Sequence, residues 1–346
     1  LLQWQLTVGG QTSAWSGSLY TTSYAKATVT SITAPQLTTA GGEAVRVVGT
    51  NFGPGANQFA TTTQNTHHIV TAEYGDNAGD GLWYKAACNV LTPHTTIECT
   101  SVPGVGANLK WRVTVGGVTG LLSSVTTSYK APKVLLIRDS EGAVGASTQG
   151  GSVVTLEGSD FGPATPTGGR MAQFGATYGV SGASKADWYT GASCAVTVPH
   201  RTITCLTAVG TGSGFSWVVR VGDQPSEEFL PSFRGGLVVG TSYASPIISE
   251  FKTDTIGKDV QSYNTEGGEV VRVVGKNFGV DASAIESVLY YAPAADATFT
   301  VDTASCSITE PHEEITCMTA IGVGGELEWK IVISGQTSSN PVTAYG

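Results

Sequence analysis

The sequence predicts an all-β protein built of several sandwich modules in tandem. Four observations predict it. The composition favours turns and short strands over helices: 45 of 346 residues are glycine and charged residues make up 13%, against about 25% in an ordinary soluble chain. No helical apolar period runs through a dozen residues. Three sets of motifs recur in one order, about 105–117 residues apart, the length of a domain and not of a solenoid repeat. All six cysteines fall in one symmetrical pattern used three times.

The chain opens on "LLQWQLTVGG", where Leu2, Trp4, Leu6 and Val8 alternate with Gln3, Gln5 and Thr7. That is the period of a strand with one apolar face. The stretch matches the closing section of the later copies, Trp4 with Trp111 and Tyr24 with Tyr129. Residues 1–29 are therefore expected to be the last hairpin of a further copy whose earlier three-quarters are absent. A two-stranded hairpin is marginal alone. Burial of each large side chain would stabilise by about 1.5–3 kcal/mol. This face is expected to need cover, from the front of its own module or from a neighbouring molecule's sheet.

Each complete copy begins with a strand and a glycine turn: "GGEAVRVVGTNFG" at 41–53, "GGSVVTLEGSDFG" at 150–162 and "GGEVVRVVGKNFG" at 267–279. Phe52, Phe161 and Phe278 read as core beside that turn. Next come "CNVLTPHTTIEC", "CAVTVPHRTITC" and "CSITEPHEEITC". Cys88 and Cys99 lie equally far from the Pro93-His94 centre, as do Val90 and Ile97. This is a hairpin with its cysteines facing each other, and it predicts disulfides Cys88–Cys99, Cys194–Cys205 and Cys306–Cys317. Such bonds imply an oxidising compartment. Zinc would need more ligands, closer together, and a histidine at the tip cannot fold back onto cysteines down both arms. His94, His200 and His312 are expected in turns with their rings in solvent.

Each copy then runs through "LKWRVTVGG", "FSWVVRVGD" or "LEWKIVISG". Trp111, Trp217 and Trp329 sit at alternating positions and read as core; a sugar-stacking platform is the lesser reading. The copies close on "TTSYKAP", "TSYASP" and "VTAYG". The second copy carries an insertion of about eight residues, "QPSEEFLPSFRGG". Its Phe229, Leu230 and Phe233 are candidates for a contact surface, or for packing over the module's own flank.

The order GG-x-x-V-x-[VL]-x-G-x-[ND]-F-G, C-x-V…I-x-C-x-[ST], a Gly-rich turn, W-x-V-x-V-G-G and S-Y resembles the IPT/TIG repeat. That is the immunoglobulin-like module of plexins, certain transcription factors and many cell-surface proteins. The resemblance covers nearly the whole chain, three times in full and once in part. It implies tandem immunoglobulin-like β-sandwiches of about seven strands: a closing hairpin over 1–29 and complete domains over 30–131, 132–245 and 246–346. The paired cysteines resemble the extracellular branch. The third copy departs from the others, with Phe299 where they carry Trp83-Tyr84 and Trp188-Tyr189.

A net charge of −9 speaks against nucleic acid, which needs a basic face. No apolar run approaches the ~18 residues of a membrane span. No G-x-S-x-G, H-E-x-x-H or P-loop is present. The Gly-rich "GVGANLK" and "GTGSGFS" precede strands, whereas a phosphate cradle needs a helix N-terminus. The expectation is no enzyme, no metal and no cofactor. His67-His68, the one adjacent histidine pair, lies in a loop and gives only weak support for coordination, and the cluster Asp76, Asn77 and Asp80 reads as an ordinary polar turn, since it lacks the EF-hand spacing. With no N-x-S/T site, any sugar would be O-linked. The expected function is an extracellular structural protein self-assembling head to tail into a filament, with Leu2, Trp4, Leu6, Val8, Phe229, Leu230 and Phe233 as candidate self-association residues. The alternative is a cell-surface adhesin or receptor ectodomain whose loops bind a glycan or a protein.

Overall fold

A computed structural model describes residues 2–34, 36–55, 70–76, 84–139, 145–164, 174–184, 188–229, 232–234, 237–239, 241–253, 262–293 and 296–339. The chain divides into two compact units, residues 1–130 and, apart from 165–172, residues 131–346.

The second unit holds two modules of one plan. In the first of them, Lys133–Asp139, Val153–Ser159, Thr202–Leu206 and Ala192–Val198 form one sheet in that spatial order. Tyr189–Thr190, Gly175–Val180, Phe215–Val221 and Gln224–Pro225 form the other. The last module repeats both sheets, with Ile247–Lys252, Val270–Lys276, Glu314–Met318 and Ser307–Glu310 against Ala297–Val301, Ile285–Ala292, Glu328–Ile333 and Gln336–Thr337. Lettered by sequence, these orders are ABED and C′CFG, the strand arrangement of an immunoglobulin-like sandwich. Single parallel bridges, Ala146 with Tyr243 and Ile247 with Ser339, also join an early segment of each module to its closing segment.

The first unit contains a third such module. Its strand Tyr84–Thr92 serves both layers without interruption, pairing with Val70–Gly75 through its first half and with Thr96–Thr100 through its second. The sheets are thereby joined into one nine-stranded sheet. In the other modules this strand is cut. Gly191 breaks it in the second, its N–H donating to Ala176 O at 2.8 Å. A 3-10 turn over Thr303–Ser305, capped by Asp302, breaks it in the third.

The inner faces follow the two-residue period of strands. Ala44–Thr50 alternates, with Val45 and Val47 fully buried. Phe52, Phe161 and Phe278 are fully buried. Trp111 and Trp217 are fully buried and Trp329 nearly so. Each tryptophan lies on a tyrosine of the neighbouring strand, at ring separations of 4.4 Å for Tyr74, 4.4 Å for Tyr178 and 4.7 Å for Tyr290.

The cysteines pair as Cys88–Cys99, Cys194–Cys205 and Cys306–Cys317, with Cα separations of 4.0, 4.1 and 4.1 Å. The register pairs Cys88 with Cys99 and Val90 with Ile97. Unlike the inter-sheet bridge of antibody domains, each bond lies within one sheet. Each closes a short loop, worth about 3 kcal/mol in the chain-entropy model. Replacing Cys88 and Cys99 together by alanine is expected to lower the unfolding free energy of the first module by about that amount, read as an earlier urea transition with the other modules unchanged.

The Pro-His step is a turn with proline first and positive φ second, at 63° for His94, 64° for His200 and 68° for His312. The histidine backbone clasps the N-F-G or D-F-G turn. His94 N donates to Gly53 O at 2.7 Å and Phe52 N donates to His94 O at 3.1 Å. The other two modules repeat both bonds.

Candidate functional site

The structural features that could carry function lie at the ends of the modules. In a complete module the closing T-x-Y strand completes a buried polar ring. Val102 N donates to Tyr74 Oη (3.0 Å), Tyr74 Oη meets Tyr129 Oη (2.7 Å), and Tyr129 Oη donates to Val102 O (2.6 Å). Ala208, Tyr178 and Tyr243 form the same ring in the second module. Burial pushes these tyrosine pKa values up. The tryptophan is tied to the same strand, with Trp111 Nε1 donating to Thr127 Oγ1 at 3.0 Å and Trp217 Nε1 to Thr241 Oγ1 at 2.8 Å.

Residues 2–24 carry the same bonds without the cover. Trp4 Nε1 donates to Thr22 Oγ1 at 3.0 Å. Trp4 N donates to Ser16 Oγ at 2.8 Å, as Trp111 N does to Ser123 Oγ. Yet Trp4 is 58% exposed and Tyr24 79%, and Leu2, Leu6 and Val8 are also exposed. The continuous strand expected from Leu2 is corrected here. The ladder is only Thr7–Val8 on Gln11–Thr12, plus a bridge from Leu2 to Thr22. Serine hydroxyls take the Trp4 and Leu6 amides in place of partner carbonyls.

The second and third modules meet in a junction made of side-chain hydrogen bonds. Gly212 N donates to Gln336 Oε1 at 3.2 Å, and Gln336 Nε2 donates to Tyr243 O at 2.8 Å and Ser245 Oγ at 3.3 Å. Thr211 Oγ1 meets Ser334 Oγ at 2.8 Å. The Thr211 methyl sits where Gly279 leaves room, since a Cβ there would come within 2.6 Å of it. His312 Nδ1 meets Thr148 Oγ1 at 2.9 Å.

This corrects the placement of the tip histidines in solvent. His94 is exposed and His200 half-buried, but His312 is 9% exposed and Thr148 1%. The tip docks on the preceding module. Desolvation lowers the His312 pKa, opposed by the charge of Glu313. A ring kept neutral when folded stabilises fully above its unfolded value near 6.5, and that contribution is lost as pH falls below it. Hydrogen exchange at the Gly212 amide, corrected for its intrinsic rate, is expected to quicken between about pH 7 and pH 5. His312→Asn, which tolerates positive φ, is expected to remove that step, whereas His200, whose pKa is also lowered by desolvation, stays in place as an internal control.

The third module holds a cavity of about 420 Å³ lined by Phe251, Tyr263, Tyr290, Val323, Leu327 and Trp329, among others. In the other modules Tyr129 and Tyr243 fill the corresponding space; their counterpart Tyr345 lies outside the described residues. Here Tyr290 Oη donates to Ala320 O at 2.9 Å itself. Phe229 is half-buried and pairs with Trp217 through both backbone bonds, at 2.9 and 3.2 Å, as an added edge over its own module. Leu230, Trp83, His67, His68, Asn77 and Asp80 lie outside the described residues, as does the side chain of Phe233. Among the described residues no group of three or more His, Cys, Asp or Glu could hold a metal, and no helix is long and apolar enough to cross a membrane.

No family model matches the sequence, and no curated protein matches it. Among solved structures, the Plexin A4 full extracellular region is similar at 14% identity and a TM-score of 0.23, over 91% of this chain and 24% of that one. The chain thus spans about a quarter of it. A tetra-tandem repeat from the extending region of a large adhesion protein matches at 11% identity and a TM-score of 0.31, over 89% of this chain and 66% of that one. The Escherichia coli adhesin FdeC matches at 11% identity and a TM-score of 0.24, over 90% and 93%. At these scores the fold rests on the strand pairing itself.

Proposed function

We propose that the chain is part of an extracellular structural protein, in which stiff tandem immunoglobulin-like modules join end to end into a surface filament. The observation that carries this reading is the junction of the second and third modules, which fixes one sandwich on the next through named side chains. Three cystines fit an oxidising compartment. A chain with 13% charged residues fits a surface covered by neighbouring subunits or by O-linked sugar. The partners are then other copies of the chain, and the role is not catalytic. Negative-stain electron microscopy at rising concentration tests this: fibres of constant width support it, and isolated short rods at every concentration overturn it.

A second reading is an adhesin or receptor ectodomain that binds a glycan or protein through its loops. Glycan binding that disappears in folded Tyr290→Ala, from a chain that stays as single rods, would select it.

A further inference from the structure

The docking hairpin of the third module has a second copy near the start of the chain. "LEWKIVISGQTSS" at 327–339 and "LQWQLTVGGQTSA" at 2–14 share Leu, Trp, Gly, Gln, Thr and Ser in register. Their geometry agrees. Ile331 N donates to Ser338 Oγ at 3.0 Å and Ser338 N to Ile331 O at 2.8 Å; Leu6 N donates to Ser13 Oγ at 3.1 Å and Ser13 N to Leu6 O at 2.8 Å. The turns match as well: φ is 46° and 76° at Ser334 and Gly335, and 56° and 79° at Gly9 and Gly10. The Ser334–Gln336 turn is seated on the second module. The Gly9–Gln11 turn is exposed, and a Cβ at Gly9 or Gly10 would meet nothing within 4 Å.

The receiving loop also has an exposed copy. Thr148, Thr211 and Gly212, which lie beneath the third module, correspond by motif position to Thr265, Val323 and Gly324. The first three are buried; Thr265 and Gly324 are exposed and Val323 is 58% exposed. Gly324 has φ 115° and Gly212 109°, so the receiving amide is held alike in both. The facing residues change together. Thr211 and Ser334 share a hydroxyl pair, whereas Val323 and Gly9 leave no hydroxyl without a partner, which would cost free energy if buried.

We propose that the Gly9–Gly10–Gln11 turn of one copy seats on the Thr265, Val323 and Gly324 loop of a second copy, with the Gln11 amide oxygen accepting from the Gly324 N–H. Chains then join head to tail by repeating the junction that already links the second and third modules. This rests on the filament reading and names its contact. The test is sedimentation and electron microscopy of the 346-residue chain and its variants. Gln11→Ala and Val323→Glu are each expected to weaken end-to-end association roughly tenfold or more, with unchanged near-ultraviolet circular dichroism. Fibres with unaltered association in both variants overturn this contact and leave the filament reading intact; a chain monomeric at all concentrations overturns both. The pair Gln11→Cys with Val323→Cys reads the contact without relying on either variant's affinity. Oxidation is expected to give a ladder of covalent multimers, and its absence from assembled material overturns the proposal.

Discussion

Replacing Trp111 by alanine is expected to destabilise the first module by about 3–5 kcal/mol, the range for a large buried aromatic. The side chain is fully buried. Its loss removes the stacked contact with Tyr74, at 4.4 Å and 10° between planes, and the bond to Thr127 Oγ1 that seats the closing strand. The Tyr74–Tyr129 ring then loses the wall that holds it. The readout is hydrogen exchange in Ala44–Thr50 and Leu109–Val115, which should rise to the rate set by global opening of that module. Trp4→Ala provides the contrast: Trp4 makes the corresponding bond to Thr22 but is 58% exposed, so the three complete modules should keep their melting behaviour.

Gly275→Ala is expected to cost about 4 kcal/mol in the third module, at or beyond the upper end of ordinary overpacking. A Cβ at this position collides with the Ile247 carbonyl oxygen and with the ring of Phe278. The first is backbone and the second is a buried core group, so neither can swing aside. Gly49 and Gly158 meet the same pair of obstacles, Thr28 O with Phe52 and Lys133 O with Phe161. What the position needs is space, because strand A bulges beside each of these glycines and brings its carbonyl against strand B with no side chain between them. Calorimetry should show one transition lost or moved far down, and Gly268→Ala is the comparison for backbone conformation alone, since it has positive φ and nothing within 4 Å.

Much of this fold was legible because its determinants are local and repeated. The mirror symmetry around Pro93-His94 contains the hairpin register, and the register contains the cystine. The alternation in "EAVRVVG" marks the inward residues without any knowledge of the partner sheet. Other features were not legible, for physical reasons. His94, His200 and His312 share the Pro-His step and its turn, yet their burial differs, because burial at a tip depends on what docks there. Serine hydroxyls in place of ladder carbonyls shorten the opening hairpin, and alternation alone cannot show that. Phe229 pairs with Trp217 through backbone groups, which any residue could supply. The match of Gln11 to Gln336 was present in the sequence, but it had no meaning until Gln336 was seen bridging two modules.

The placement of the cystines within one sheet bears on how the chain responds to tension. A pull on the two ends of the second or third module enters through its first and last strands. In the third module the first strand meets the closing segment in parallel, at Ile247 with Ser339, so the hydrogen bonds of that contact are sheared together and do not unzip one by one. The cystine between strands D and E lies off that path and adds nothing to the force needed to open the module. Once a module has opened, the bond withholds the Pro-His loop from the length released, so each module yields less slack than its residue count would allow.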